Sequence, residues 1–496
     1  MSLPLEVKLT APSGKSFELP TGLFINNEFV YPQDKTSTIT VLDPDTGKII
    51  TDVYAAKEED VDIAVKAARA AYKKGWRHNQ SRGDLLYKLS ELITKNAEVL
   101  ATIEAWDTGK SYSAESYGNI VAGALTYKYY AGWADKLGGK TIDVGENKFA
   151  YTLHEPLGVC GQIIPWNYPF LMKAWKIGAA VATGNTVVLK TAENTPLSAL
   201  YFAKLVVEAG FPPGVINLFT GLGPVAGAHL ASHLDVDKIA FTGSTVVGKQ
   251  IMKYAASNLK NITLECGGKS PMIIFDDADL EKAAIHAHSA LMGNQGQTCT
   301  AMSRYYVHEA VYDKFVELYK QQVLTKSKVG HPFDEDTFQG PQVSEVQQKR
   351  VLGYIESGKS EGAKVVIGGN VPKSLSNGFF VEPTIFSDVT DDMKIMREEI
   401  FGPVASITKF TDEHDVVQRA NDSSYGLGAS IFTKDLQRAH RVARDLESGQ
   451  VWINSGNDSD YRIPFGGYKQ SGIGRELGEY GIQIYTQVKA VHVNLN

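Results

Sequence analysis

Cysteine is scarce in this sequence, with only three residues, at positions 160, 266 and 299 of a 496-residue chain. An odd and low count in a chain of this length argues against a disulfide framework and is typical of a reducing compartment. We therefore expect a cytoplasmic protein.

Long apolar runs and charge of one sign are also missing. No stretch of about 18 apolar residues occurs, so no membrane span is expected. The first 20 residues contain Glu6 and Glu18 and no Arg, which predicts neither a secretory signal nor a mitochondrial transit peptide. The net charge of -6 is spread along the chain and includes no basic stripe, so we expect no nucleic-acid partner.

The chain does contain short apolar runs that alternate with helical patterns. Residues 22–30 alternate like a strand, and residues 58–76 and 85–99 have the periodicity of amphipathic helices. After residue 157 the strand candidates are residues 158–164, 185–190, 215–219 and 238–242, and a second series contains residues 272–275, 304–308 and 449–454. Apolar strands separated by helices predict parallel sheets in an α/β protein. The Gly267–Gly268 pair is the expected boundary between the two series.

A polar loop at residues 294–299, Asn-Gln-Gly-Gln-Thr-Cys, presents one thiol. Nearby backbone N–H groups can lower the pKa of such a thiol and make it a nucleophile. Taken alone, Cys299 fits a buried structural cysteine better than a nucleophile. Cys160 lies within an apolar run and Cys266 follows one, so both are poorer candidates.

Two other segments contain polar residues suited to work beside a nucleophile. Glu265, in LECGGKSP, ends an apolar run beside two glycines, where a carboxylate is either a general base or a helix cap or surface ion pair. Asn167, in IPWNYP, follows a rigid Pro-Trp pair. Its amide is either an oxyanion donor or an ordinary turn side chain.

Five segments together resemble the signature blocks of the NAD(P)-dependent aldehyde dehydrogenase superfamily: IPWNYP, LECGGKSP, GNQGQTC, EEIFGPV and PFGGYKQSG. They occur in the family's order, and the resemblance extends from residue 22 to the end. It is greatest to the tetrameric cytosolic and mitochondrial members, especially fungal ones. The resemblance implies an α/β aldehyde dehydrogenase fold with a Rossmann-like NAD-binding domain, an α/β catalytic domain and a small β oligomerisation arm. The implied boundaries are 1–136 and 157–267, 268–470, and 137–156 with 471–496, and the implied assembly is a homotetramer.

The same resemblance implies that the protein oxidises an aldehyde to a carboxylic acid and reduces NAD. Cys299 would form a thiohemiacetal and then a thioester, with the oxyanion held by Asn167 and the Cys299 backbone N–H. Glu265 would act as the general base that hydrolyses the thioester. Lys176 and Glu476 match a proton-relay pair, although a structural ion pair explains the same residue types. No metal is expected, because the sequence shows no ligand-spaced His/Cys cluster.

The fingerprint GxGxxG is absent after the first sheet strand, and the resemblance implies a variant cofactor site instead. Residues 241–248, FTGSTVVG, follow a predicted strand and open a helix, whose N-terminus suits a pyrophosphate. Lys190 and Glu193 match the adenosine-ribose contacts. Because a carboxylate there would repel a 2′-phosphate, we expect NAD rather than NADP. The other implied cofactor residues are Ile163, Ile164, Pro165, Trp166, Gly223, Gly243, Ser244, Val247, Gly248, Gln347, Glu399 and Phe401.

The resemblance also implies which residues surround the aldehyde: Ala122, Tyr168, Leu171, Trp175, Thr298, Thr300, Ser459 and Phe465. Two threonines flank Cys299, and the loop 455–460 is polar where aliphatic-aldehyde relatives usually have an aromatic residue. We therefore expect a wide, polar pocket. Acetaldehyde and a polar or amino aldehyde both remain candidate substrates.

Two other functions compete with a hydrolytic aldehyde dehydrogenase. A coenzyme-A-acylating semialdehyde dehydrogenase is disfavoured by Glu265, since such enzymes generally lack this carboxylate. A non-catalytic structural protein on the same fold is disfavoured because Cys299, Glu265 and Asn167 are all present.

Overall fold

The computed structural model describes residues 3–496 as alternating strands and helices. The strands are β1 (Glu6–Thr10), β2 (Ser16–Pro20), β3 (Leu23–Ile25), β4 (Glu28–Val30), β5 (Thr38–Leu42), β6 (Ile49–Tyr54), β7 (Thr141–Asp143), β8 (Lys148–Pro156), β9 (Val159–Ile163), β10 (Thr186–Lys190), β11 (Ile216–Phe219), β12 (Lys238–Thr242), β13 (Asn261–Glu265), β14 (Ser270–Ile274), β15 (Met302–His308), β16 (Lys364–Ile367), β17 (Thr384–Ser387), β18 (Val404–Phe410), β19 (Tyr425–Gly426), β20 (Gly428–Phe432), β21 (Gln450–Ile453), β22 (Tyr468–Lys469), β23 (Gly472–Ile473) and β24 (Thr486–Asn494).

The α-helices lie between these strands. They are α1 (Glu58–Lys73), α2 (Arg82–Lys95), α3 (Ala97–Thr108), α4 (Tyr117–Ala131), α5 (Pro169–Ala182), α6 (Leu197–Ala209), α7 (Ala228–Ser232), α8 (Thr245–Ala255), α9 (Leu280–Met292), α10 (Tyr312–Lys326), α11 (Glu345–Ser360), α12 (Lys394–Arg397), α13 (Glu413–Asn421), α14 (Leu436–Asp445) and α15 (Tyr480–Gln483). In the described part of the chain, no helix combines the length and the apolar character that crossing a membrane requires.

Two expected elements are each divided in the structure. The strand predicted at residues 22–30 is wrong, because β3 and β4 form a hairpin in which Asn26 and Asn27 adopt φ angles of 57° and 65°. Asparagine tolerates this left-handed conformation, which a tight hairpin turn requires. The helix predicted at residues 85–99 breaks at Asn96, whose Nδ2 donates to the Leu92 carbonyl oxygen over 2.8 Å. This side chain competes with the helical backbone pattern.

The first large sheet has the strand order β23-β13-β12-β9-β10-β11-β3-β4. Its five central strands are parallel, and strands β3, β4 and β23 pair antiparallel at the edges. Helices α2 to α6 cover one face, and α1, α7 and α8 cover the other. Because both faces are covered, β9, β10, β11 and β12 are buried along their whole length.

The second large sheet has the order β16-β17-β18-β15-β14-β20-β21, parallel except for β16. Its first strand along the chain, β14, begins at Ser270, two residues after the glycine pair expected at the boundary. Apolar side chains from α9 and α10 pack on one face, and side chains from α11, α13 and α14 pack on the other. The expectation of two helix-covered, mainly parallel sheets is confirmed.

A small antiparallel sheet, β24-β8-β7, forms the arm. Strands β8 and β24 pair over nine residues, from Thr486 opposite Pro156 to Asn494 opposite Lys148. The predicted arm boundary at residue 471 needs correction, because β23 pairs with β13 in the first large sheet. The segment between β23 and β24 packs there as well, since Glu476 and Tyr485 are both buried. The C-terminal part of the arm sheet therefore starts at Thr486.

Candidate active site

The carboxyl ends of β9, β12 and β13 meet the loop that precedes β15 around a cavity of about 380 Å³. In parallel sheets this edge is the usual place for a ligand. Cys299, Glu265 and Asn167 all line the cavity. Three segments far apart in sequence thus contribute the nucleophile, base and amide candidates to one space.

The Cys299 loop is held in an unusual backbone conformation. Asn294 and Gln295 have φ angles of 48° and 56°, in the left-handed region that non-glycine residues rarely adopt. Gln295 Nε2 donates to the Gly109 carbonyl oxygen over 3.1 Å, and Gln297 Oε1 accepts the Val343 N–H over 3.0 Å. Such strain persists only where surrounding contacts fix it, and here those contacts position the thiol.

The electrostatic surroundings keep the Cys299 thiol protonated in the free protein. Burial raises the pKa of Cys299 to about 12, and the charges of Glu265 and Glu399 act in the same direction. A positive charge placed in the cavity would lower this pKa. Cys160 is fully buried in β9, whereas Cys299 is partly exposed towards the cavity.

Hydrogen bonds hold both the side-chain amide and the backbone carbonyl of Asn167. Its Nδ2 donates to the Gln297 carbonyl oxygen over 2.8 Å, which leaves the second Nδ2 hydrogen free to donate. Its backbone carbonyl accepts Lys110 Nζ over 2.8 Å and Asn294 Nδ2 over 3.1 Å. Lys110 is itself buried and pairs with Glu104 over 3.3 Å. Sequence reasoning missed Lys110, because nothing local to residues 109–111 indicates a contact 57 residues away.

Glu265 ends β13 with both carboxylate oxygens buried and without a hydrogen-bond partner. Burial raises its pKa well above the usual range, and the nearby Glu476 charge raises it further, against the charges of Lys176 and Arg475. A buried carboxylate with free oxygens is an exception that calls for a ligand, a water or a catalytic role.

Lys176 and Glu476 form a buried ion pair of 2.6 Å close to this carboxylate. Lys176 Nζ also donates to Thr242 Oγ1 over 2.6 Å, while Glu476 Oε2 has no partner. The free oxygen leaves the pair able to accept a proton. Both the relay and the structural interpretation stay predictions.

Two groups of residues on β10, α8 and nearby loops are suited to the adenosine and pyrophosphate parts of a dinucleotide. Glu193 lies 3.4 Å from Lys190 Nζ and accepts the Gly223 N–H over 2.6 Å. Ser244 caps α8, since its Oγ accepts the Val247 N–H over 3.4 Å, and Ser244 lines the cavity, so the N-terminal N–H groups of the helix lie beside it. Ile163 and Ile164 lie at the end of β9, and Gly248 lies in the first turn of α8.

A third group, on the second sheet's side, lines the main cavity. Glu399 accepts the Gly268 N–H over 2.9 Å, and a Cβ at Gly267 would overlap its carboxylate. Gln347 Nε2 donates to the Phe401 carbonyl oxygen over 2.7 Å, which holds Phe401 at a φ angle of 60°. The Phe401 ring meets the Trp166 ring edge-on, with 5.2 Å between ring centroids. The carboxylates suit the ribose hydroxyls of NAD, the capped N–H groups suit its pyrophosphate, and the aromatic rings suit its planar ring.

The predicted aldehyde residues line the cavity with one exception. Tyr168, Leu171, Trp175, Thr298, Thr300, Ser459 and Phe465 belong to the lining. Ala122 is not part of the lining, whereas Asn119, about one helical turn earlier on α4, is. Sequence reasoning also missed Glu115, Met172, Ser289, Gly293 and Asn457. Their roles depend on how α4, α5 and α9 pack, which no single segment reveals.

One cluster of metal-ligating side chains lies outside this cavity. Asp62 Oδ1 is 2.6 Å from His229 Nε2 and 3.2 Å from His233 Nε2. The His-x-x-x-His spacing at positions 229 and 233 was overlooked in the sequence. However, His233 Nδ1 accepts the Asp235 N–H over 3.0 Å, so the neutral ring carries its proton on Nε2 and donates it to Asp62. The cluster is thus satisfied by hydrogen bonds.

Comparisons with known proteins agree with this geometry. A model of the aldehyde dehydrogenase family matches residues 29–491. An aldehyde dehydrogenase from Alternaria alternata is 54% identical, over 99% of this chain and 98% of that protein. The mitochondrial aldehyde dehydrogenase of Rattus norvegicus is also 54% identical, over 95% of this chain and 91% of that protein. The NAD+ complex of an aldehyde dehydrogenase from Bacillus cereus is 50% identical, with a TM-score of 0.94 over 96% of this chain and 97% of that one.

Proposed function

Since this chain belongs to the aldehyde dehydrogenase family and catalyses the NAD-dependent oxidation of aldehydes, we propose that it does so by covalent catalysis at Cys299, followed by hydrolysis. The observation that carries this proposal is the shared cavity of Cys299, Asn167 and the unpartnered carboxylate of Glu265. The product is then a free carboxylic acid.

In the first step the Cys299 thiol loses its proton to solvent, a loss that a positive charge in the cavity favours. The thiolate then attacks the aldehyde carbon, and a C–S bond forms as the carbonyl oxygen becomes an oxyanion. The free Nδ2 hydrogen of Asn167 and the Cys299 backbone N–H stabilise this oxyanion. Their placement is fixed before the substrate arrives, because Gln297 and Lys110 hold the Asn167 residue. Preorganised donors of this kind need no rearrangement in the transition state.

NAD, when bound, accepts the hydride that leaves this carbon, so that a thioester remains on Cys299. Glu265 then takes a proton from a water molecule, whose oxygen attacks the thioester carbonyl. The C–S bond breaks, the acid leaves, and the thiolate is restored. The charges of Lys176 and Glu476 act on Glu265, and Lys176 also donates a hydrogen bond to Thr242. These groups give the proton that Glu265 has taken from water a route away from the cavity.

Hydrolysis and acyl transfer to coenzyme A differ in their products. We expect propanal and NAD to give one propanoate per NADH, with no change when coenzyme A is added. NMR of the reaction mixture measures both products. Propanoyl-coenzyme A as the main product would contradict the role given to Glu265.

Replacing Asn167 by alanine should lower kcat by about 100-fold with little change in KM, because one oxyanion donor is lost. Steady-state NADH formation measures the effect. Asn258→Ala is the control, since Asn258 is exposed and donates only to backbone carbonyls such as that of Leu234, over 2.7 Å. An unchanged kcat in Asn167→Ala would remove this residue from the oxyanion site.

The preference for NAD should depend on Glu193. In Glu193→Gln the ratio of kcat/KM for NADP to that for NAD should rise about tenfold, since the charge that repels a 2′-phosphate is gone. The exposed Glu208 on α6 offers a matched Glu→Gln control. A ratio that stays constant would mean that another group selects the cofactor.

We further propose a cytoplasmic homotetramer. The arm sheet β24-β8-β7 leaves apolar side chains such as Phe149, Leu153 and Val488 exposed, and exposed strand edges are normally covered by a neighbour. Light scattering of the purified protein should give about four times the chain mass of 54.1 kDa. The three free cysteines support a reducing compartment.

A further inference from the structure

The wall of the aldehyde cavity contains a carboxylate that the mechanism does not use. Glu115 lies on the π-helical turn Tyr112–Ser116 that leads into α4, and it lines the cavity together with Cys299. Within residues 3–496 it forms no ion pair. Lys110, the cation that influences its pKa, is paired with Glu104 over 3.3 Å instead. Glu115 is therefore an uncompensated acidic group in a substrate pocket.

The surroundings of Glu115 leave space and polar groups around this carboxylate. A Cβ at Gly293 would lie 3.0 Å from Glu115 Oε1, so glycine at that position gives the carboxylate its room. Asn119 also lines the cavity, is only 9% exposed, and has no partner for its Nδ2. A half-buried carboxylate without an ion pair and a buried amide on the same wall indicate a place for a polar ligand group.

Contacts connect this wall to the nucleophile. The Tyr168 hydroxyl lies 3.0 Å from Thr298 Oγ1, and Thr298 precedes Cys299 in the chain. Glu115, Tyr168 and Cys299 all line the cavity, and the charges of Glu115 and Cys299 both act on Tyr168. One small molecule can therefore present its aldehyde to Cys299 and its other end to Glu115.

The other charged groups of the cavity lie towards the cofactor residues. They are Glu265, Glu399 and Arg350, and the Arg350 guanidinium donates to the Glu399 carbonyl oxygen over 2.9 Å. Burial raises the pKa of the Glu115 carboxyl, while the Lys110 charge, the Asn294 N–H and the neighbouring Asn119 side chain lower it. A cation beside Glu115 would favour its ionised form, whereas a neutral substrate leaves a half-buried carboxylate without a counter-ion.

We propose that Glu115, with Asn119 and Tyr168, forms a subsite for the positively charged amine of an amino-aldehyde substrate. This proposal rests on the proposed function, because the aldehyde end of the same molecule reacts at Cys299. The protein then selects cationic aldehydes over neutral aldehydes of the same shape.

Two pairs of aldehydes of matched shape test the subsite: 3-aminopropanal against butanal, and betaine aldehyde against 3,3-dimethylbutanal. In the wild-type enzyme kcat/KM should be higher for the cationic member of at least one pair. In Glu115→Gln this preference should fall roughly tenfold or more, the worth of one charge-assisted contact, because kcat/KM falls more for 3-aminopropanal than for butanal.

The matched control is Glu335→Gln. Glu335 is exposed and its carbonyl oxygen accepts Ser113 Oγ over 3.2 Å, so it lies near Glu115 without lining the cavity. Removing an exposed charge there should change the preference by less than about twofold. An equal fall in both variants would indicate a general charge effect and overturn the subsite.

The subsite is also overturned if wild type prefers the neutral member of both pairs, a comparison that needs no variant. A parallel loss with cationic and neutral aldehydes in Glu115→Gln would overturn it too, because Glu115 would then only support the fold. If wild type forms no NADH with any aldehyde, neutral or cationic, the proposed function fails first and the subsite with it.

Discussion

Cys299→Ala should lower kcat for aldehyde oxidation by at least about ten-thousandfold, because Cys266, the other thiol in the cavity lining, is buried and only 4% exposed, whereas Cys299 is partly exposed. The loss of one sulfur from a loop residue that is partly exposed should leave the fold unchanged. Stopped-flow measurement of NADH formation gives the rate, and circular dichroism with the thermal midpoint checks the fold.

The control for this variant is Cys160→Ala, which removes a thiol from β9 outside the cavity lining. It should keep kcat within about threefold, although its thermal midpoint should fall because a buried atom is lost. The nucleophile assignment would be overturned by a Cys299→Ala enzyme that keeps full activity.

Glu265→Gln should separate the two halves of the reaction. We expect a burst of NADH of about one equivalent per active site, followed by turnover that is about 100-fold slower or more, because water is no longer activated. The glutamine has the same shape, so aldehyde and NAD should still bind. Stopped-flow absorbance measures the burst amplitude and the slow phase.

The pH dependence of thioester hydrolysis in the wild-type enzyme follows from the pKa of Glu265. Burial raises that pKa, and only the ionised carboxylate can accept a proton from water. The hydrolysis rate in wild type should therefore rise with pH through the raised pKa, and Glu265→Gln should lose this rise. A variant with no burst and an unchanged pH profile would contradict the general-base role.

The alternation of apolar runs sufficed to predict both large sheets, because parallel strands buried on two faces leave an unmistakable apolar pattern. It could not separate β3 from β4, since the turn depends on two asparagines that tolerate positive φ angles. The apolar pattern also could not show that the helix predicted at residues 85–99 breaks at Asn96, where a side chain competes with the helical backbone. These errors arise where one polar side chain overrides a periodic pattern.

The candidate site was predictable wherever a segment contributes a residue through its own local sequence, as at Cys299, Glu265 and Asn167. The residues that sequence reasoning missed reach the cavity only through packing. Lys110 contacts the carbonyl oxygen of Asn167 from the loop after α3, and Glu115 and Asn119 line the cavity because α4 packs beside α5. Such relations depend on the three-dimensional arrangement and leave no local pattern.

The acyl-enzyme itself can be observed. Glu265→Gln is mixed with NAD and propanal, quenched in acid within the burst, digested with protease and analysed by mass spectrometry. We expect a propanoyl group on the peptide that contains Cys299, formed in the same amount as the NADH of the burst, and none on the peptides with Cys160 or Cys266. NADH formation without an acyl group on Cys299, or with the acyl group on another residue, would contradict covalent catalysis at Cys299.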